Sequence, residues 1–269
     1  MLGRTTWGAL LLAAAGAVSA GAQDFRVVPG DGWCNDRDGD GNRARFCEVR
    51  ETTLRPSGTL TVDATPNGGI AVTGGDEGAV RLQVKVLAVA GSDETARQMA
   101  SEVHVRTSGT ISAEGPATTR SREWWTVSYR LTVPVRTDLD LRSHNGGITL
   151  TGVRGRTEFE TTNGGVKITD AGGSMHGRTT NGGVKVALTG SSWDGDGLDV
   201  TTTNGGVVLE VPSDFNAHLE TGTVNGGVQM DFPVRVQGRL GRDLSTDLGS
   251  GGPTIRAKTT NGGVTVRRR

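Results

Sequence analysis

Apolar and polar residues alternate regularly on both sides of a recurring Asn-Gly-Gly tripeptide. In the six copies from Asn145 onward, the third and fifth residues after the Asn are apolar, and the residue between them is mostly polar. The sixth and fourth residues before the Asn have the same phase, although they are less strictly apolar. A period of two is that of a β-strand with one buried face. Each repeat therefore predicts a strand, a corner, a second strand and a looser turn.

The spacing of the corners indicates a repeat architecture. From Asn145 the steps are 18, 18, 23, 21 and 36 residues, and a near-constant short period is typical of stacked repeats. The last step is twice 18, which predicts one coil after Asn225 that has lost its marker. Asn and Gly are expected at the corners because both tolerate positive φ. The predicted structural corners are Asn67, Asn145, Asn163, Asn181, Asn204, Asn225 and Asn261.

Two architectures fit this pattern. Asn-Gly is a strong hairpin signal, so an antiparallel β-sandwich of hairpins is one of them. The other is a β-solenoid, in which equivalent residues of successive coils stack on one another. Thr161-Thr162 and Thr179-Thr180 recur at the same offset from the corner, and this identity favours stacking. We predict an all-β fold, a β-solenoid or β-roll of about 18–23-residue repeats, with the sandwich as the alternative.

The part before the repeats predicts further strands and one short helix, over residues 92–103. Ser92 is a suitable N-cap, and the negative charges of Asp93 and Glu94 in the first turn interact favourably with the helix dipole. We divide the chain into a signal peptide (1–22), a disulfide-containing segment (23–58), an N-terminal β region (59–135) and the repeat region (136–269). The helix presents an apolar stripe made of Ala96, Met99, Ala100 and Val103.

The first 22 residues have the pattern of an export signal. Arg4 precedes an apolar run over residues 7–18, and small residues follow, which predicts cleavage after Ala20 or Ala22. We therefore expect a periplasmic or extracellular protein. No later stretch is apolar enough to span a bilayer, so no membrane insertion is predicted.

Composition and charge narrow the function classes. Fourteen of the 43 glycines belong to the Asn-Gly-Gly copies, so the glycine excess reflects the repeat. Removal of Arg4 leaves 28 basic against 29 acidic residues, a balance that does not favour nucleic acid as a partner. Cys34 and Cys47 are the only cysteines, and an even pair in an exported chain predicts a disulfide.

One loop imitates the start of a calcium site. Asp36, Asp38 and Asp40 alternate as in an EF-hand loop, but position twelve, where a bidentate Glu is needed, is Cys47. We therefore predict a hydrophilic loop and no cofactor, with calcium as the alternative.

Catalytic patterns are weak. Glu158, Glu160 and Asp199 lie at outward phases of their strands, and nothing in the sequence sets the separation that paired carboxylates need for glycoside hydrolysis. No nucleophile elbow for a Ser-His-Asp triad is present. No catalytic residue is predicted. Trp193, in the long turn 191–197, is the one candidate binding residue, unless its ring folds back over the end of the sheet.

The chain resembles the bacterial putative-adhesin family of β-strand-repeat domains of unknown function. The matching stretches are 127–134, 139–148, the Thr-Thr-Asn-Gly-Gly-Val-Lys repeats and 248–255, within residues 50–269. The resemblance implies an exported β-helical domain. We predict a non-enzymatic adhesin or cell-envelope scaffold whose outer faces bind a cell-surface polymer or an envelope protein. The alternatives are a glycosidase or lyase on a β-helix and a purely structural envelope protein.

Overall fold

The computed structural model describes residues 25–29, 32–35, 43–55, 58–117, 123–231 and 242–269. The predicted signal peptide and the loop with Asp36, Asp38 and Asp40 lie outside these residues. The helix is α1 (Asp93–Ser101). The strands are β1 (Arg26–Val28), β2 (Ala44–Leu54), β3 (Leu60–Asp63), β4 (Ile70–Gly75), β5 (Val80–Ala90), β6 (His104–Arg106), β7 (Thr110–Glu114), β8 (Trp124–Pro134), β9 (Leu139–Ser143), β10 (Ile148–Thr151), β11 (Arg156–Asn163), β12 (Val166–Thr169), β13 (Ser174–Asn181), β14 (Val184–Ala187), β15 (Gly197–Asn204), β16 (Val207–Val211), β17 (Ala217–Asn225), β18 (Val228–Met230), β19 (Asp243–Leu248), β20 (Thr254–Asn261) and β21 (Val264–Arg268).

The strands of the described residues form two long sheets, which we call sheet A and sheet B. Sheet A runs in the order β1-β2-β5-β8-β4-β10-β12-β14-β16-β21-β18, and sheet B in the order β19-β17-β20-β15-β13-β11-β9-β3-β7-β6. Successive repeats pair in parallel, with Asn163 beside Asn181 and Asn181 beside Asn204. This confirms the predicted solenoid, because hairpins would pair consecutive strands antiparallel. We call the two strands around one corner a coil and name it by its Asn.

The core lies between the two sheets and follows the predicted phases. Each coil sends alternate residues of its two strands inward, so that apolar side chains stack along the solenoid axis. In the Asn225 coil, Val228 and Met230 are only partly buried against the core. Fully buried representatives of the stacks are Leu139, Leu141, Ile148, Leu150, Val184, Val186, Leu198, Val200, Leu209, Ile255 and Val266.

The last repeat along the chain is not the last coil of the stack. Strand β20 pairs with β15 on one side and with β17 on the other, and β21 lies between β16 and β18. The Asn261 coil therefore lies between the Asn204 and Asn225 coils. The prediction of an unmarked coil after Asn225 is wrong. In the described part of that interval the chain instead forms β18 and the edge strand β19, which pairs antiparallel with β17.

The N-terminal part joins the same two sheets. Strands β3 and β4 form the first coil, and Asn67 is bridged in parallel to Asn145. Strands β2, β5 and β8 then continue sheet A in antiparallel pairs. The disulfide between Cys34 and Cys47 is confirmed and ties the N-terminal segment to β2. In the described part of the chain, no helix is long and apolar enough to cross a membrane.

Helix α1 packs its apolar stripe into the core beside β2 and β5. Ser92 caps the helix, since its Oγ accepts a hydrogen bond from the N–H of Thr95 at 3.1 Å. At the other end, the Arg50 guanidinium donates to the carbonyl oxygens of Ala100 at 2.8 Å and Val103 at 2.6 Å. A cation there satisfies helix-end carbonyls and interacts favourably with the negative end of the helix dipole. Arg50 therefore fastens α1 to sheet A.

We expect Arg50→Met to lower the free energy of unfolding by about 1.5–3 kcal/mol, since it removes charge-assisted hydrogen bonds and keeps most of the apolar stem. The matched control is Arg97→Met on the exposed side of α1, for which we expect a change within about 0.5 kcal/mol. Urea unfolding of both variants measures the difference. Equal stabilities would show that Arg50 does not hold the helix.

Candidate functional site

The corner asparagines form a ladder along the solenoid axis. Each side-chain Nδ2 donates to the Oδ1 of the Asn in the preceding coil, and all six hydrogen bonds measure 2.8 Å. Every Asn inside the stack thus both donates and accepts. In stack order the ladder runs Asn67, Asn145, Asn163, Asn181, Asn204, Asn261 and Asn225.

A second ladder lies just inside the first. From the Asn145 coil onward, the hydroxyl two residues before each corner Asn donates to the carbonyl oxygen of the first corner glycine in the preceding coil of the stack, as Thr161 does to Gly146 at 2.8 Å and Thr179 to Gly164 at 2.7 Å. These bonds satisfy polar groups that would otherwise be buried without a partner. The other donors are Ser143, Thr202, Thr223 and Thr259. Both ladders are therefore structural.

The first glycine of each corner is required by close packing. A Cβ on Gly164 would lie 2.1 Å from the carbonyl oxygen of Gly146, whereas a Cβ on Gly165 would lie 3.4 Å from its nearest neighbour. Apart from Gly262, no corner glycine of the described residues has a positive φ. The prediction that glycine is needed at these corners for its tolerance of positive φ is therefore wrong. The absence of a side chain lets consecutive coils approach each other.

With the corners assigned to structure, the outer face of sheet B is the best candidate for a functional surface. Two rows of polar side chains run along it, because residues at one offset from the corner stack between coils. The row five residues before the Asn is Asp140, Glu158, His176, Asp199, Arg256 and Glu220, and the row three before it is Arg142, Glu160, Arg178, Thr201, Lys258 and Gly222.

Three adjoining shallow cavities, with volumes of about 220, 260 and 340 Å³, lie along these rows. They share lining residues: Glu158 belongs to two of them, and His176 joins one of these to the third. We call the resulting depression the sheet B groove. Its ionisable residues are Asp138, Asp140, Arg142, Arg156, Glu158, Glu160, His176, Arg178, Asp196, Asp199 and Arg256.

Charges in the groove are arranged in pairs across coils. Arg178 Nη2 lies 2.8 Å and 2.9 Å from the two carboxylate oxygens of Glu160. Arg256 bridges Asp199 at 3.0 Å and Glu220 at 2.8 Å. These pairs are open to solvent, where an ion pair contributes about 0–1 kcal/mol. A charged ligand could therefore replace one partner at little cost.

Two carboxyl groups, Glu158 in the groove and Glu220 beside it, have lowered pKa values, which favour the ionised form. The guanidinium of Arg156, which donates to Glu158 at 2.6 Å, lowers the pKa of that carboxyl group. The hydrogen bond from Arg256 lowers the pKa of Glu220 in the same way. A glycosidase needs a general acid whose pKa is raised, and both shifts run in the opposite direction. Such groups suit ionic recognition better than acid catalysis.

The structure places the candidate acids and Trp193 in different environments. Glu158, Glu160 and Asp199 line the groove at the outward phases predicted for them. Trp193 does not face solvent: its side chain is 4% exposed, and its Nε1 donates to the carbonyl oxygen of Gly173 at 2.9 Å. The ring folds back onto the coil, as the alternative interpretation of this turn expects.

Sequence analysis missed the basic half of the groove. Arg142 and Arg178 have the same outward phase as the acids, so comparing the third and fifth positions before each Asn would have found them. Calcium binding at Asp36, Asp38 and Asp40 stays a prediction, since that loop lies outside the described residues. Within the described ranges, no three His, Cys, Asp or Glu side chains form a group that could hold a metal ion.

Comparison with protein families identifies one match. Residues 59–267 match the Toastrack DUF4097 family. A putative cell adhesion protein from Clostridium sporogenes ATCC 15579 is 10% identical, with 83% of this chain and 100% of that chain covered and a TM-score of 0.44. A putative lipid binding protein from Parabacteroides distasonis ATCC 8503 is 11% identical (85% and 98% covered, TM-score 0.37), and a putative adhesin from Bacteroides fragilis NCTC 9343 is 12% identical (82% and 97%, TM-score 0.34). No curated protein sequence matches.

Proposed function

The chain belongs to the Toastrack DUF4097 family, and from that premise we propose that it is an exported adhesin or cell-envelope scaffold, which binds a charged surface polymer along the sheet B groove. The observation that carries the proposal is the pairing of acids and arginines across three of the junctions between coils. The groove itself is non-catalytic in this proposal, because the lowered pKa of Glu158 does not suit a general acid.

The dimensions of the groove suit an extended chain. Neighbouring coils lie about 4.8 Å apart, so the five coils from Asn145 to Asn261 in stack order, which line the groove, span roughly 19 Å. Successive units of an extended polymer could therefore each contact one coil, which contributes one residue to each of the two rows. The two corner ladders hold that spacing fixed, which reduces the entropy lost when a ligand binds.

Arginine supplies the recognition chemistry. A guanidinium binds carboxylate or phosphate oxygens through parallel N–H donors. Arg178 already makes two short contacts with Glu160, so an anionic group of the polymer can take the place of that carboxylate. The groove acids would contact cationic or hydroxyl groups of the same polymer. Binding of this kind weakens as salt screens the charges.

We test the proposal by retention of the mature protein on whole cells, peptidoglycan and a glycan panel. Reversing one groove charge with Arg178→Glu should reduce retention at least about fivefold, since like charges then face the ligand. Lys167→Glu makes a similar change in charge on the exposed outer face of sheet A and should leave retention unchanged. Equal losses in the two variants would place binding elsewhere, and no retention of the unaltered protein would refute adhesion.

A further inference from the structure

A hydrogen-bonded chain of three side chains lies at the far end of sheet B, outside the groove. The edge strand β19 pairs antiparallel with β17, so that Asp247 lies opposite His218 and Ser245 lies opposite Glu220. The N–H of Thr223 donates to the carbonyl of Arg242 in the same ladder. By alternation, both of these pairs are of the non-hydrogen-bonded type, which brings their side chains close together.

The contacts follow the order nucleophile, base and orienting acid. His218 Nδ1 lies 2.7 Å from Asp247 Oδ1, and His218 Nε2 lies 3.1 Å from Ser245 Oγ. An ionised carboxylate can only accept a hydrogen bond, so Nδ1 carries the proton that is shared with Asp247. The Nε2 lone pair is then directed at the hydroxyl of Ser245. This is the arrangement by which a histidine activates a serine nucleophile.

A neighbouring acid does not compete for the imidazole. Glu220 Oε1 lies 3.8 Å from His218 Nε2, but the carboxylate of Glu220 is held by Arg256 at 2.8 Å. Ser245 is therefore the closer partner of Nε2. The His218 side chain is 35% exposed and Ser245 is exposed, so an ester can reach both groups from solvent.

We propose that Ser245, His218 and Asp247 form an acyl-transfer site for short-chain carboxylic esters. Ser245 Oγ attacks the ester carbonyl carbon while its proton moves to His218 Nε2. The bond from that carbon to the alcohol oxygen then breaks, and His218 returns the proton to the leaving alcohol. Water cleaves the acyl-serine by the same route, so that one ester and one water give one acid and one alcohol.

The edge position of β19 supplies a donor for the negative charge that develops on the carbonyl oxygen. Because Glu220 and Ser245 form a non-hydrogen-bonded pair, the backbone N–H of Ser245 points away from β17, toward the side of β19 on which no other strand of the described residues lies. A free N–H of the nucleophile itself can stabilise the oxyanion. Asp247 does not touch the substrate and acts as a positioning residue for His218. The three residues of the site lie on β17 and β19 alone, and the proposal goes beyond the polymer-binding function.

The test is hydrolysis of p-nitrophenyl acetate by the mature full chain, with intact-mass and peptide analysis of the acetylated protein. We expect an acetyl group on Ser245, and at least about a tenfold loss of the enzymatic rate in Ser245→Ala and in His218→Gln, since general base catalysis contributes on the order of 10²–10⁴. His104→Gln is the matched control, because His104 is also an exposed histidine but lies in β6, at the opposite end of sheet B from β19.

The role of Asp247 needs a separate readout. Asp247→Asn should slow acetylation of Ser245 and lower kcat at nearly unchanged KM, because Asp247 does not touch the substrate but holds the imidazole in the tautomer that directs Nε2 at Ser245. An unchanged kcat would refute the positioning role. Acetylation at other residues, or an equal rate in Ser245→Ala, would overturn the acyl-transfer site. Thermal unfolding of each variant confirms that these exposed substitutions leave the fold intact.

Discussion

Gly164→Ala is expected to destabilise the solenoid by about 3 kcal/mol or more, whereas Gly165→Ala should change stability by less than about 1 kcal/mol. The two positions are adjacent in one corner and receive the same methyl group. At Gly164 that methyl would lie 2.1 Å from the carbonyl oxygen of Gly146, and at Gly165 it would lie 3.4 Å from that of Gly183. The expected difference therefore comes from contact with the neighbouring coil.

The clash at Gly164 cannot be relieved by a small local shift. The obstructing carbonyl of Gly146 accepts a hydrogen bond from the hydroxyl of Thr161. The N–H of Gly164 donates to the carbonyl of Asn181 at 3.1 Å. Separating the coils would lengthen these bonds and the adjoining Asn ladder together. Urea unfolding measures both variants. A Gly164→Ala protein as stable as Gly165→Ala would show that the coils have room to separate, and would refute close packing as the reason for glycine.

Removal of the Asn261 coil is the second change from which we expect a large effect. A chain that ends at Pro253 lacks β20 and β21, which lie between the Asn204 and Asn225 coils. Solenoid stability is approximately a sum of repeat terms and interfaces between neighbours. Loss of an end coil removes one interface, but loss of this inner coil removes two. We expect the Asn225 coil to lose its order in the shortened chain.

Hydrogen exchange provides the measurement. Amides of β17 that are protected in the full chain should exchange at least about a hundredfold faster in the shortened chain, while those of β11 and β13 should keep most of their protection. The control is a chain that ends at Arg267, which keeps β20 and most of β21. Retained protection of β17 in the chain that ends at Pro253 would mean that the Asn225 coil can stack directly on the Asn204 coil.

The regular part of this fold was accessible from the sequence because one offset has one environment in every coil. The alternation after Asn163 and Asn181 placed Val166, Ile168 and Val184 inward, and all three are buried. The choice of parallel coils followed from the repeated Thr-Thr pairs, of which the second member faces out and the first donates to a glycine carbonyl. The predicted reason for the corner glycine was wrong, because the atom that excludes a side chain at Gly164 is the carbonyl oxygen of Gly146, in the neighbouring coil.

The coil order could not be read from spacing. Thirty-six residues is twice the basic step, so an interval that contains the edge strand β19 has the same length as two repeats. Equivalent corners also give no indication of which neighbour each will choose, because their stacking residues are alike. The side chain of Asn261 makes hydrogen bonds of the same length, 2.8 Å, with those of Asn204 and Asn225.

The candidate sites depend on contacts between coils, and for that reason they were only partly predictable. The acids Glu158 and Glu160 were placed outward correctly. The partner of Glu158, Arg156, lies on the same strand, but the partner of Glu160, Arg178, became visible only when strands were set side by side. Ser245 and Asp247 lie on an antiparallel strand outside the repeat, whose register no periodic pattern specifies. Their contact with His218 is therefore a finding of the structure.

The insertion of the Asn261 coil also affects the order of events as the chain folds. In an ordinary solenoid, each new coil can dock as soon as it is synthesised, so growth of the stack follows the direction of synthesis. Here the Asn225 segment emerges first but finds its neighbour only when β20 arrives. Until then it must either wait unpaired or occupy the position beside β15 and be displaced later. We therefore expect a slow final phase in refolding, in which the last segment enters between two segments made before it.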